Sequence, residues 1–184
     1  MVERVLLVAL VALGGCKPAP TPVPFRVWSP DFEPSAGHPR EDACESWLPQ
    51  EHECFGSNPE IAWEGVPEGT VSLALIFDDP DAGGFPHWAI FNLDPALTGL
   101  PAGLSGSDVD SELPGSAIEL RNGADFRGYL GSCPSGTNLY RWRLFALTDW
   151  LEPPFASFED LSDAAEAVQI ERVDMCHVYG PATI

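Results

Sequence analysis

Two carboxylates and an imidazole stand close together in one stretch of the chain: Asp79, Asp81 and His87. Pro80 separates the aspartates, and a residue before proline is driven into extended backbone. Side chains two apart on an extended chain point the same way, so Asp79 and Asp81 are expected to face one side together. Gly83 and Gly84 let the chain fold back and return His87 to the carboxylates. A carboxylate beside an imidazole favours its charged form, and an imidazolium donates to an oxyanion. The same trio could ligate a divalent cation, but oxygen-rich metal sites recruit more carboxylates or waters, and no metal is assigned. The chain has no GxSxG nucleophile elbow, and no enzymatic activity is assigned to it.

The elements that must position these groups can be read from periodicity. Leu73 to Phe77 is an apolar run suited to a buried strand, and a second run extends from Trp88 to Leu93. The two strands deliver the acids and the imidazole into one turn. Tyr140 to Leu147 alternates, with Tyr140, Trp142, Leu144 and Ala146 on one face and Arg141, Arg143, Phe145 and Leu147 on the other. Such mixed faces predict a strand near a pocket rim. Val173, Met175, His177 and Tyr179 alternate as a last strand, and Ala117 to Leu120 is a short one. Ser157 with Asp160 resembles a capping box, and Leu161, Ala164, Ala165 and Val168 recur at helical spacing, which predicts a helix over 158–168. Asp94 to Ser116 is a Gly-, Pro- and Ser-rich connection without periodicity. The class is mostly β with one or two peripheral helices, and there is no internal repeat.

The chain has 184 residues and is 45% hydrophobic, enough for one domain with a real core. Lys and Arg number 9 against 28 Asp and Glu, for a formal net charge of −19. That surface repels nucleic-acid phosphates, so no nucleic-acid partner is expected.

The N-terminus reads as a targeting segment. Arg4 is a basic n-region beside Glu3, Val5 to Leu13 is apolar but too short to span a bilayer, and Leu13-Gly14-Gly15-Cys16 resembles a bacterial lipobox. Residues 1–15 are therefore expected to be a lipoprotein signal peptide and Cys16 the lipidated residue. Residues 16–25 are a stiff Pro-rich tether, with four prolines between Lys17 and Pro24, and residues 26–184 are the domain. Lys17 in place of Asp after the cysteine leans towards the outer membrane of a bacterial cell envelope. Cys44, Cys54, Cys133 and Cys176 remain, and four thiols in an exported chain suggest two disulfides, with three connectivities open. No Cys-x-x-Cys pair marks a zinc site.

Asp79-Pro80-Asp81-Ala82 with His87-Trp88 resembles the signature of the phosphatidylethanolamine-binding protein family, in its bacterial Raf-kinase-inhibitor-like branch. Four further stretches resemble family segments in the right order: Ser29 to Phe32, Ile61 to Thr70 (WxGVPxGT), Arg121 to Pro134 (NDFG…GY…PCPP) and Tyr140 to Leu147. The resemblance implies a central antiparallel sheet packed on a smaller second sheet. It also implies a small pocket for an anionic headgroup such as phosphate, carried here by Asp79, Asp81, His87 and Tyr140. Tyr140 would donate a hydroxyl, and backbone amides near Gly128 and Gly131 would add donors. One carboxylate could accept from an ethanolamine ammonium, so a zwitterion or monoanion suits the site better than a dianion. Where the family has His-Arg-Tyr this chain has Asn138-Leu139-Tyr140, so Asn138 stands for the second pocket histidine and donates without charge.

On the resemblance, Cys54 and Cys133 lie in loops near the pocket, and the pairing expected is Cys54–Cys133 with Cys44–Cys176. Glu33 to Pro59 is longer than the family's usual stretch and reads as an insertion held by a disulfide. His177 is expected to be structural, and His38 and His52 exposed. The function expected is a non-enzymatic binding protein, lipid-anchored, with a headgroup- or phosphate-type pocket. The alternative is a protease or kinase inhibitor acting through a surface loop.

Overall fold

The computed structural model describes residues 22–34, 44, 46–48, 54, 56–107 and 112–180. The leader with Cys16, His38, His52 and most of the 33–59 segment lie outside the described residues.

The described chain forms ten strands and one α-helix: β1 (Arg26–Trp28), β2 (Glu33–Pro34), β3 (Ser46–Trp47), β4 (Ile61–Glu64), β5 (Ser72–Asp79), β6 (Phe85–Leu93), β7 (Gly99–Leu100), β8 (Ile118–Glu119), β9 (Asn138–Leu147), α1 (Phe158–Val168) and β10 (Gln169–Tyr179). They build two sheets. The larger has the order β2-β3-β10-β9-β5-β6-β8, and the smaller has the order β1-β4-β7. Pairing is antiparallel apart from the parallel contact of β3 with β10. This is the mostly β, two-sheet architecture that the sequence leads one to expect. Strands β4 and β7 are additions to it; both are too short to show a period, and β7 lies in the stretch without periodicity.

The centre of the large sheet is β9-β5-β6, and β5 is buried along its whole length. Its alternate residues serve two cores. Leu73, Leu75 and Phe77 pack with Trp63 of β4, Ile61 and Trp142 between the sheets. Ala74 and Ile76 pack on the opposite face with Phe91, Phe145 and Leu161 of α1. A strand buried on both faces reads as a continuous apolar run, and Leu73 to Phe77 does so for this reason. The helix begins where the capping signal puts it: Ser157 Oγ accepts from Asp160 N at 3.0 Å, and Asp160 Oδ2 accepts from Ala156 N at 3.2 Å.

Strand β9 lies inside the large sheet between β10 and β5, and Asn138 and Tyr140 at its start border a cavity, as the mixed faces predict. Its mixed face arises because Arg141 and Arg143 point at one buried acid, Asp78. Arg141 Nε and Nη2 donate to the two Asp78 oxygens at 3.1 and 2.8 Å, and Arg143 Nη2 donates at 2.9 Å. The guanidinium plane and the carboxylate match as a fork, which lets a charge be buried in a sheet face.

Two cysteine pairs lie at disulfide distance, Cys44–Cys176 and Cys54–Cys133, with Cα separations of 5.9 and 4.7 Å. The first fastens the short β3 segment to β10 beside the Val178↔Trp47 pair. The second fastens Cys54 to the loop after Leu130, where Cys54 N also donates to Ser132 O at 3.0 Å.

Candidate functional site

At the end of β5 the alternation of the strand sends neighbouring aspartates to opposite faces. Asp78 continues the helix-side row and is neutralised by the arginines, whereas Asp79 continues the row of Phe77 and opens into a cavity. Asp79 is only 3% exposed, and its backbone is extended before Pro80 with φ −109° and ψ 98°. Pro80–Ala82 then forms a single 3-10 turn capped by Asp79, whose Oδ1 accepts from Ala82 N at 3.0 Å. Gly83 and Gly84 follow with φ of 70° and 80°, a left-handed backbone that glycine adopts without strain.

This turn overturns one expectation. Because the chain coils after Pro80 instead of staying extended, Asp81 does not share a side with Asp79. It is exposed, and it is not among the residues lining the cavity. Its Oδ2 accepts from Leu139 N at 2.9 Å. Asp79 Oδ2 accepts from Asn138 Nδ2 at 2.8 Å. The two aspartates thus clamp the start of β9 to the turn, and Asn138 and Tyr140 are set on either side of the clamped Leu139.

His87 arrives by a β-bulge. Phe77 pairs with Trp88 and Asp78 with Pro86, so His87 is the extra residue of β6. A bulge re-aims a side chain. Strict alternation would put His87 on the helix side with Ala89 and Phe91. Instead its ring lies on the other side, 4.9 Å from the Phe77 ring and 5.3 Å from that of Tyr140. Its Nδ1 is 2.8 Å from the carbonyl oxygen of Leu130, which can only accept, so Nδ1 carries the proton. Leu130 N returns a bond to His87 O at 3.0 Å.

The structure thus brings Asp79, His87, Asn138 and Tyr140 together around one cavity of about 430 Å³. The rest of its wall is largely apolar and includes Phe85, Leu130 and Pro134. Phe85, 37% exposed, stands edge-on to His87 at 5.1 Å. A Cβ on Gly123 would come within 2.2 Å of its ring, so the residue at 123 must be small for the ring to lie there. Phe85 was not singled out from the sequence. The signal was its place two before His87, read past because Pro86 interrupts the run.

Burial lowers the His87 pKa below its ordinary value, and this outweighs the opposing pull of the Leu130 carbonyl and the Asp79 charge. The expected imidazolium is therefore corrected to a neutral ring. Its neighbouring carboxylate is present, but desolvation of a 4% exposed ring is the larger effect. Burial, and then the charge of Asp79, push the Tyr140 hydroxyl up, so it stays protonated as a donor. Gly131 lines the cavity, yet its N–H donates to Cys54 O at 2.6 Å. Gly128 does not line it; at φ 124° it packs on Ser105, whose Oγ would lie 3.0 Å from an added Cβ.

His177 is fully buried and not among the lining residues. Trp142 Nε1, a donor only, bonds its Nδ1 at 2.9 Å, so the proton sits on Nε2 facing Ser132 Oγ at 3.1 Å. Its ring stacks on Tyr140 at 5.0 Å and backs that side chain from below.

Comparison with known proteins places this arrangement among others. The sequence model of the phosphatidylethanolamine-binding protein matches residues 40–183. A UPF0098 protein of Methanothermobacter thermautotrophicus is 38% identical over 143 residues, 74% of this chain and 87% of that one. A Mycobacterium tuberculosis protein whose name calls it a lipoprotein, LppC, is 32% identical over 178 residues, 80% of this chain and 79% of that one. The crystal structure of Escherichia coli YbcL, described as a member of the mammalian PEBP family, superposes with a TM-score of 0.73 at 26% identity and covers 85% of this chain and 98% of that one.

Proposed function

The chain belongs to the phosphatidylethanolamine-binding protein family, and from that premise we propose that it is a non-enzymatic binding protein, held at the bacterial outer membrane by a lipid on Cys16. Its ligand is a small headgroup-type molecule taken into the cavity between β5, β6 and β9. The observation that carries this reading is the convergence of Asp79, His87, Asn138 and Tyr140 on one cavity of about 430 Å³. Concave, apolar-walled cavities of that size with a few converging polar groups suit small ligands.

Binding rather than catalysis is supported by how the polar groups are held. Both Asp79 oxygens and His87 Nδ1 have fixed internal partners among the described residues. Anchoring is supported by Leu13-Gly14-Gly15-Cys16 and by the likeness to the lipoprotein-named LppC.

Native mass spectrometry of the protein purified from its own membrane tests both parts. The expected result is an acyl mass on Cys16, lost in Cys16→Ser, and a co-purified small molecule lost in Tyr140→Phe together with His87→Ala. A protein free of acyl mass and of any small molecule, also after incubation with headgroup compounds, would overturn the reading.

A further inference from the structure

We propose that His177 is a positioning residue of the cavity: through Ser132 it fixes the hydroxyl proton of Tyr140 on Asp79. This rests on the binding reading above and concerns how the same site is set. His177 does not itself line the cavity. Its influence begins in the sheet. His177 and Tyr140 are register partners on β10 and β9, and their rings stack at 5.0 Å with planes 9° apart. Trp142 stands two residues further along β9 on the same face. Asp79 follows the Asp78↔Arg141 pair and so stands across from Tyr140 on β5.

A row of hydrogen bonds runs through these groups, and both of its ends fix its direction. At one end Trp142 Nε1, which can only donate, bonds His177 Nδ1 at 2.9 Å. The His177 proton is thereby left on Nε2, 3.1 Å from Ser132 Oγ. At the other end the Tyr140 hydroxyl is bonded to Asp79, to Ser132 and to the backbone N–H of Cys133. A carboxylate only accepts and an N–H only donates, so Tyr140 gives its one proton to Asp79 and accepts from Cys133. Ser132 must then donate to Tyr140, and its oxygen accepts from His177 Nε2. The two ends, read independently, demand the same histidine tautomer.

Every member of the row is buried, so water has little access to compete with it. Hydrogen bonds that point one way polarise one another and hold the last donor in place. That last donor serves Asp79, which takes the Tyr140 hydroxyl beside Ala82 N and Asn138 Nδ2. A phenylalanine at 177 would stack on Tyr140 as well, with no polar ring to desolvate. What the imidazole adds is a donor aimed at Ser132. Without that donor the Ser132 oxygen is free to accept, and the Tyr140 proton divides between Ser132 and Asp79.

NMR on the full chain at pH 7.5 tests the assignment. The chain has three tyrosines, so the Tyr140 hydroxyl proton is identified by its loss in Tyr140→Phe. Expected are a His177 proton on Nε2, the opposite tautomer to His87, and a Tyr140 hydroxyl proton close to the Asp79 methylene and protected from exchange. In His177→Phe that proton should exchange about tenfold faster, and O-phosphoethanolamine should bind about threefold more weakly by calorimetry. Adding Ser132→Ala removes the competing acceptor, and both readouts should return to within about twofold of the unmodified chain. Because phenylalanine leaves Trp142 Nε1 unpaired, His177→Gln is the second variant; it keeps a donor for Ser132 and should retain both readouts. A His177 proton on Nδ1, or a Tyr140 proton on Ser132 in the unmodified chain, overturns the proposal. So does a double variant no better than His177→Phe, which is what a merely structural histidine gives. No heat from O-phosphoethanolamine with the unmodified chain counts against the binding reading, and the hydroxyl and tautomer signals still decide the role of His177.

Discussion

Asn138 donates its amide to Asp79 across the start of β9, at 2.8 Å. This bond stands where the family pattern, by resemblance, has a second pocket histidine. It satisfies the acid without neutralising it, and so leaves a net negative charge in the cavity. A histidine in the same place, beside the carboxylate and only partly buried, would favour its charged form.

Asn138→His is therefore expected to move the selectivity of the site. Inorganic phosphate should bind about tenfold more tightly at pH 6 than to the unmodified chain, with less gain at pH 8, where a free imidazole of pKa about 6.5 is neutral. Calorimetry at the two pH values checks this. Phosphate binding unchanged at pH 6 would show that residue 138 does not set the charge preference.

Asp78 should matter to stability out of proportion to its size. Asp78→Ala leaves two guanidiniums without their acid, one of them 10% exposed at the side chain, and is expected to cost about 3–5 kcal/mol. Arg141→Ala should cost much less, since that side chain is 38% exposed and Arg143 still pairs with the acid. Denaturant titration of both variants decides it, and equal losses would contradict the assignment of the buried pair to Arg143.

Acid should weaken the fold before the carboxylates titrate. His87 and His177 both have pKa values lowered in the folded state, chiefly by burial, His177 the more strongly. Below the unfolded value of about 6.5 the unfolded chain binds protons that the folded chain does not. Stability is thus complete above about pH 6.5 and falls as pH drops through it. Denaturation midpoints at pH 7.5, 6.5 and 5.5 should decline, and His177→Gln should flatten the decline. A midpoint flat across this range in the unmodified chain would contradict the burial effect.

The two disulfides should separate function from stability. Cys133 lines the cavity, and Cys54 holds the loop that carries Leu130 and Gly131. Replacing either pair by serines should cost about 2–4 kcal/mol. Only loss of Cys54–Cys133 should also weaken ligand binding, because Cys44–Cys176 does not border this cavity. Differential scanning calorimetry and calorimetric binding on the two double variants check this, and equal binding by both would remove the loop from the site.

Much of the fold was legible because its signals are local. The apolar run Leu73 to Phe77, the alternation of Tyr140 to Leu147 and the Ser157–Asp160 cap each depend on spacing within one element, and β5, β9 and α1 lie there. The short strands β4 and β7 carry too few residues to show a period, and their pairing is made by partners distant in the chain.

The site itself divides along the same line. By itself the sequence determined that Asp79 and His87 meet in one turn between two apolar runs, and the family resemblance of Asn138-Leu139-Tyr140 added Asn138 and Tyr140. What only the tertiary structure decided is how they meet. The 3-10 turn after Pro80 turned Asp81 from a pocket acid into a clamp on Leu139. The bulge in β6 turned His87 across the sheet, and a bulge is set by the register of two paired strands, which no single strand encodes. Burial then held that ring neutral, since desolvation depends on what packs around a group and not on its neighbours in sequence.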